Sequence, residues 1–500
     1  VASIVSVANT IAAAAGQTIK LTTSTDNVTG GTGHDTFEAS YTSANGMTLQ
    51  SADTITGGDG NDYLNVTIGA AGTHQASDLT GVETVKGTFS AAGTLSLLGS
   101  TGVTHVKAAG STAAATVSNI PGVATLEVEN SATNATFTYK ATDVSGSADT
   151  ATLTLNNVTL GSTVSVAGVE TLNVVSGGGG NVLTGLTVAD ANTVNITGSQ
   201  SLDLGAANTT SELIDGSTAT GKLTIITNNA NAATVKTGSA DDTITSTGGT
   251  ANVVTVDAGA GNDKLTMTAS LGATDVLDGG DGTDTLVGID ANLAALTVPA
   301  TGALITNFET VTFSDEYTTA TTLSDIQAGI TTVNLANASA TATLDIINSG
   351  GKTITGEAGA LTVNLGGSLA GNTSNLASAL TIADTGTATT DTLTVNNTAI
   401  NLTGNVNIDL AASITSTGYE LVTFNTGEAT GNVSQTVATF TVTPDAVTAP
   451  VSLTVTGGNS ANFSTAVSTS STALLTIDAS GMDAQAAGTA TLTIASTVQG

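Results

Sequence analysis

The side chains best placed to do chemistry are aspartates that recur in one nine-residue frame, G-G-x-G-x-D-x-apolar-x. GGTGHDTFE (Gly30 to Glu38) and GGDGNDYLN (Gly57 to Asn65) fill it early in the chain. TGSADDTIT (Thr237 to Thr245), AGAGNDKLT (Ala258 to Thr266) and GGDGTDTLV (Gly279 to Val287) fill it again, each starting 21 residues after the one before. That interval is two nonapeptides plus a short insertion, and two nonapeptides make one turn of a β-roll, so the glycine-rich turns should stack on one side of a coil. The glycines reach φ values closed to other residues and let the turn point carbonyls inward. The aspartate adds a charged oxygen. Calcium takes roughly six to eight hard oxygens at about 2.3–2.6 Å, a number that two facing turns can supply.

The frame therefore nominates Ca2+ ligands. Asp62, Asp263 and Asp284 occupy its best copies, and Asp35 and Asp242 its next best. Weaker units directly upstream keep aspartate at the sixth place and an apolar residue at the eighth: Asp26 with Val28, Asp53 with Ile55, and Asp275 with Leu277. The unit before Ala258 has Val254 where aspartate would stand. The turn residues Gly30, Gly57 and Gly279, with Asp59 and Asp281 at the variable third place, complete the candidate sites. The competing reading is that glycine- and aspartate-rich turns simply join strands. The pairs Asp241/Asp242 and Asp59/Asp62 could suggest general acid–base work, but the motif that contains them explains them better. His34, His74 and His105 lack the spacing of a transition-metal site, and the absence of cysteine excludes thiolate sites. No GxSxG elbow, GxxxxGK loop or HExxH motif is present, so the chain is not expected to be an enzyme.

The elements that must position these residues are strands. Val, Ile and Leu alternate with Thr, Ser and Asn through most of the 500 residues, and small and β-branched residues dominate while aromatics make up only 3%. A second segment follows each motif block: LTGVETVKG (Leu79 to Gly87) and ITNFETVTF (Ile305 to Phe313), with relatives VAGVETLNV (Val166 to Val174) and TGYELVTF (Thr417 to Phe424). Each reads as a strand preceded by a turn at Gly or Asn. Their glutamates, Glu83, Glu170, Glu309 and Glu420, could be ligands or interface residues; a solvated face or a turn-bonding role is the favoured reading. Helical signal is thin.

The fold expected is all-β: a multi-domain, elongated, calcium-binding parallel β-roll/β-solenoid. Residues 1–70 should hold an N-terminal segment and the first roll, 71–230 a Thr-rich solenoid, 231–290 the second roll, 291–440 a second solenoid and 441–500 a C-terminal β domain. The plan is one module used twice, with a boundary near Ala230. Coils of roughly 20 residues stacked about 4.8 Å apart would give a rod on the order of 100 Å long. The apolar opening VASIVSVANTIAAAAG reads as a first strand or short helix, and the stretch from Pro444 to Pro450 as a break or cap.

Charge bounds the partners. Forty acidic residues against 8 lysines and no arginine give a net charge of −32, which excludes a nucleic-acid binder that must neutralise phosphates. No apolar run reaches the roughly 18 residues of a membrane helix, so membrane insertion is not expected.

Taken together, the nonapeptides, the GVETV- and GVETL-type strands, the Thr/Ala/Gly/Ser-rich solenoid and the lack of cysteine resemble the RTX-type (repeats-in-toxin) surface-layer proteins of Gram-negative bacteria. The resemblance spans nearly the whole chain. It implies type I secretion, an extracellular location and a calcium-dependent two-dimensional lattice built from copies of the protein itself. It also implies anchoring on lipopolysaccharide through a separate N-terminal domain. That domain and the terminal RTX block of the family have no counterpart here, so the chain is expected to be the lattice-forming segment of a longer protein. An RTX adhesin or other calcium-stabilised extracellular stalk is the alternative, and an RTX enzyme the third choice.

Overall fold

Parallel strands stacked coil on coil are the unit of this structure, and the reason is visible in single columns of side chains. Phe37 pairs with Leu64, Leu64 with Val85, Val85 with Val106, Val106 with Leu126, Leu126 with Leu153, Leu153 with Val174, and Val174 with Ile196. All eight are buried. Each strand alternates, as Thr36–Thr42 does, with every second residue inside. An apolar column repeated at the strand spacing buries a continuous core without any thick layer, which suits a chain so poor in aromatics.

The computed structural model describes residues 16–42, 46–76, 78–159, 161–206, 211–227, 233–247, 254–268, 275–293, 304–336, 344–347, 352–356, 359–366, 374–376, 378–397, 408–410, 412–427, 434–458, 460–482, 491–495 and 497–499. The opening segment expected as a strand or short helix, and the module boundary near Ala230, lie outside them.

The chain divides into two units, Val1–Gly261 and Asn262–Gly500. In the first, one parallel ladder runs through Thr36–Thr42, Tyr63–Ile68, Thr84–Phe89, His105–Ala109, Thr125–Glu129, Thr150–Asn156, Thr171–Gly177 and Thr193–Gly198. A second runs from Gly72–Gln75 through Gly93–Ser96, Ala115–Ile120 and Ala135–Tyr139 to Ser162–Ala167 and Asn181–Val188. A short third ladder joins Asn27–Thr29, Thr54–Thr56 and Asp78–Thr80.

The second unit is likewise built from parallel ladders. Thr285–Gly288, Thr310–Phe313, Thr332–Leu335, Ala360–Leu365, Thr392–Asn397, Leu421–Asn425, Val451–Gly457 and Leu475–Met482 form one parallel ladder. Thr321–Thr322, Lys352–Gly356, Leu380–Asp384, Ile414–Thr417, Ser434–Thr443 and Ser460–Thr469 form another. The outward face of the first of these ladders carries Asn334, Asn364 and Asn396 in register, Asn364 donating to Asn334 at 2.7 Å and Asn396 to Asn364 at 2.9 Å. Such a ladder satisfies side-chain donors and pins the register. The described helices are single turns, Asp290–Leu293 and Leu323–Ile326.

Coil length departs from expectation in this second unit. Thr84, His105 and Thr125 stack at the expected interval of about 20 residues. From Thr332 onward, Thr362, Thr394, Thr423 and Thr454 stack instead at about 30. The longer coils carry an extra strand between the two ladders, Leu344–Ile347 pairing with Ser374–Leu376, and so need more chain per turn.

Candidate functional site

The nonapeptide aspartates lie at coil corners, immediately before a strand, and stack in columns. In the first unit the column is Asp35, Asp62 and Glu83. The N–H of Gln17 donates to Asp35 Oδ1 at 2.6 Å, that of Asp35 to Asp62 Oδ1 at 2.6 Å, and that of Asp62 to Glu83 Oε2 at 2.7 Å. The Gly31 N–H donates to Asp35 Oδ2 from within the same turn. In the second unit Asp263, Asp284 and Glu309 repeat the pattern: the Asp263 N–H meets Asp284 Oδ1 at 2.7 Å and the Asp284 N–H meets Glu309 Oε2 at 2.9 Å. Asp35, Asp62, Asp263 and Asp284 are all buried. Each carboxylate thus caps the backbone of the coil before it, a charge-assisted bond that fixes both register and turn.

The turn glycines are required by close approach. A Cβ at Gly57 would fall on the Gly81 carbonyl oxygen of the next coil and on the Asp62 carboxylate; Gly30 and Gly279 face the Gly57 and Asn307 carbonyls in the same way. Carbonyl oxygens and carboxylates therefore crowd one corner. Burial holds the Asp62 carboxyl above its ordinary value, the like charges of Asp35 and Glu83 add to the rise, and the Asp35 N–H opposes it. Asp62 Oδ2 is buried without a hydrogen-bond partner. An orphaned carboxylate oxygen among carbonyls is a donor set for a hard cation.

The remaining candidates separate into groups. Asp242 is buried, accepts from the Leu223 N–H at 2.6 Å and the Gly238 N–H at 3.0 Å, and is raised chiefly by burial. Asp26 and Asp53 pair by the same capping rule, the Asp26 N–H donating to Asp53 Oδ1 at 2.8 Å. Their other oxygens are engaged locally, Asp53 Oδ2 by the Gln50 N–H at 2.6 Å and Asp26 Oδ2 by the Thr22 N–H at 2.7 Å. Asp275 is buried directly before Val276–Asp278. Asp59 and Asp281 are exposed, and the Asp59 N–H donates to the Gly31 carbonyl at 3.1 Å.

The glutamates of the E-T-V segments are turn-bonding residues. The residue two places before each has a positive φ: Gly81 at 60°, Gly168 at 96°, Asn307 at 60° and Gly418 at 86°. That left-handed corner, open to Gly and tolerated by Asn, aims the glutamate along the stack. Glu170 accepts the Asp149 N–H at 2.8 Å, as Glu83 does that of Asp62. Glu170→Ala is expected to destabilise the first unit by about 1–3 kcal/mol by stranding that N–H, and Glu170→Gln by much less, since its amide oxygen still accepts. Chemical denaturation of both variants checks this; equal losses would contradict it.

Spacing gave no warning of a second acidic corner. Asp384, Asp391 and Asp445 bring carboxylate oxygens within 4.8 Å of one another. Asp384 ends Leu380–Asp384, Asp391 precedes Thr392–Asn397, and Asp445 follows Ser434–Thr443. Burial pushes the Asp384 carboxyl up to about 6, with the Asp391 and Asp445 charges adding to it. The only local signal was Glu420, whose motif marks the same corner. This group could coordinate a metal ion.

The histidines are dispersed. His74 stacks on Tyr41 with ring centroids 4.1 Å apart, His105 faces Glu127 at 3.1 Å, and exposed His34 accepts the Asn61 N–H at 2.8 Å. The architecture is that of a repetitive all-β scaffold in which the motif carboxylates accept backbone N–H groups of neighbouring coils. No described helix is long and apolar enough to cross a membrane. No protein-family model matches the chain, and no curated protein matches it.

Proposed function

We propose that the chain is the scaffold of a bacterial surface layer of the RTX type, exported from the cell and assembled with copies of itself into a two-dimensional lattice. Calcium rigidifies its coils. The observation that carries this reading is the pair of in-register acid columns, Asp35/Asp62/Glu83 and Asp263/Asp284/Glu309, each at a glycine turn too close-packed for any larger residue. Two unit charges about 5 Å apart repel by roughly 3 kcal/mol at an effective dielectric near 20, so a stacked acid column gains from a divalent ion at its edge. Asp62, Asp263 and Asp284, with Asp35 and Asp242, supply the carboxylates, and the facing turns supply carbonyls. The partner is the protein itself. Lipopolysaccharide would be held by a separate region, and the charge of −32 disfavours nucleic acid.

Negative-stain microscopy of the purified chain, first chelated and then given calcium, tests the proposal. Ordered sheets that form only with calcium are the expected result. Discrete particles that never form sheets in calcium would shift the function to an adhesin stalk, and folded particles indifferent to calcium would remove the mechanism.

A further inference from the structure

We propose that the corner built from Asp384, Asp391, Glu420 and Asp445 is a divalent-cation site of the hard, all-oxygen class, separate from the nonapeptide turns and filled by calcium. Three successive coils deliver these side chains. Ala383 pairs with Thr417 and Thr417 with Thr443, which brings the strand end at Asp384 beside Gly418 and, one coil on, Asp445. Thr392 pairs with Leu421, and the N–H groups of Glu420 and Leu421 both donate to the Asp391 carbonyl, at 3.2 and 3.1 Å. The three aspartate carboxylates lie within 4.8 Å of one another.

Acidic proximity alone would prove nothing; the unpartnered atoms are what point to a ligand. Glu420 is fully buried, and while its Oε1 accepts the Asp445 N–H at 2.9 Å, its Oε2 has no partner. Burial raises its carboxyl above the ordinary value, the Asp445 and Asp391 N–H groups oppose the rise, and the Asp445 and Asp391 charges add to it, so the glutamate belongs to the same electrostatic cluster. Asp391 is 5% exposed, with Oδ2 likewise unpartnered, and so is Asp384 Oδ2. The Tyr419 hydroxyl is buried without a partner, its phenol raised by burial and by Asp384 and Asp391. The described ion pairs engage Lys20, Lys107, Lys140 and His105, none of them with these acids.

A proton shared between Asp384 and Asp391 would satisfy one pair of oxygens and leave Glu420 Oε2 and the Asp445 charge unanswered. A divalent ion answers all of them. Four carboxylates offer enough oxygens for the roughly six to eight that calcium takes, whereas magnesium keeps several waters and demands a strict octahedron. Two of the four acids are buried, which leaves little room for such a water shell, and exposed Asp445 provides the entry.

The test is calorimetric titration of the full chain with calcium after chelation, comparing the wild type with Asp384→Asn/Asp391→Asn and with Asp62→Asn/Asp284→Asn. The first double variant is expected to lose one site and keep the others. The second should lose nonapeptide sites and keep this one, so the two readings fail separately. Terbium luminescence gives a readout that does not depend on removing a carboxylate. The chain has no tryptophan, so tyrosine is the sensitiser, and Tyr419→Phe should remove the part of the emission that Asp384→Asn/Asp391→Asn also removes. Unchanged stoichiometry in Asp384→Asn/Asp391→Asn together with unchanged emission in Tyr419→Phe would overturn the proposal and leave a protonated carboxyl pair.

Discussion

Chelation of divalent cations is expected to lower the thermal midpoint of the chain by on the order of 20 °C. An ion present at a hundred times its dissociation constant contributes about 2.7 kcal/mol through its preference for the folded state. Three filled sites in one unit would contribute about 8 kcal/mol, and each kcal/mol moves the midpoint by roughly 2–4 °C for units of this size. The loss should begin at the coil corners, where removal of the ion leaves Asp35, Asp62 and Glu83 stacked without counter-charge. Asp62→Ala/Asp284→Ala should reproduce much of the effect at millimolar calcium, and chelation should then add little. Thermal scans by circular dichroism measure both, and an unmoved midpoint in both experiments would contradict the account.

The second large effect is expected where calcium plays no part. Phe424, Phe440 and Phe463 meet in the second unit, Phe440 lying 5.8 Å from the first ring and 5.9 Å from the other. All three are fully buried. Three of the 8 phenylalanines of the chain are gathered here, in the unit with the longer coils. Phe440→Ala should cost about 3–5 kcal/mol through lost burial and the cavity left behind. Val447→Ala, at a side chain 58% exposed, should stay within about 0.5 kcal/mol. Denaturant unfolding of the two variants decides; a cost for Phe440→Ala as small as that of Val447→Ala would mean the ring cluster does not hold the coils.

Much of this was legible in the sequence because a solenoid is locally encoded. Alternation such as TLTLNN (Thr152 to Asn157) names both the strand and its buried face, and a nonapeptide names both the turn and the acid that caps it. Even the glutamates were readable as turn-bonding, since a Gly or Asn two places earlier announces the left-handed corner. Two features were not legible. Coil length beyond Thr332 is set by extra short strands such as Leu344–Ile347 and Ser374–Leu376, which look like any other alternating run. The Asp384, Asp391 and Asp445 corner escaped because Asp445 comes from a coil two turns beyond the one that holds Asp384 and Asp391, and none of the three belongs to a motif; only the register of the stack brings them together. Asp149 was missed for a related reason, since its meaning depends on Glu170 one coil later.

The central claim is that the stacked turn acids are calcium sites, and anomalous X-ray scattering from crystals grown in calcium tests it most directly. The account predicts anomalous peaks about 2.3–2.6 Å from Asp62 Oδ2 and from the carboxylates of Asp263 and Asp284, each also in reach of turn carbonyls. Turns closed by backbone N–H groups alone, with no anomalous density at any nonapeptide aspartate, would contradict it.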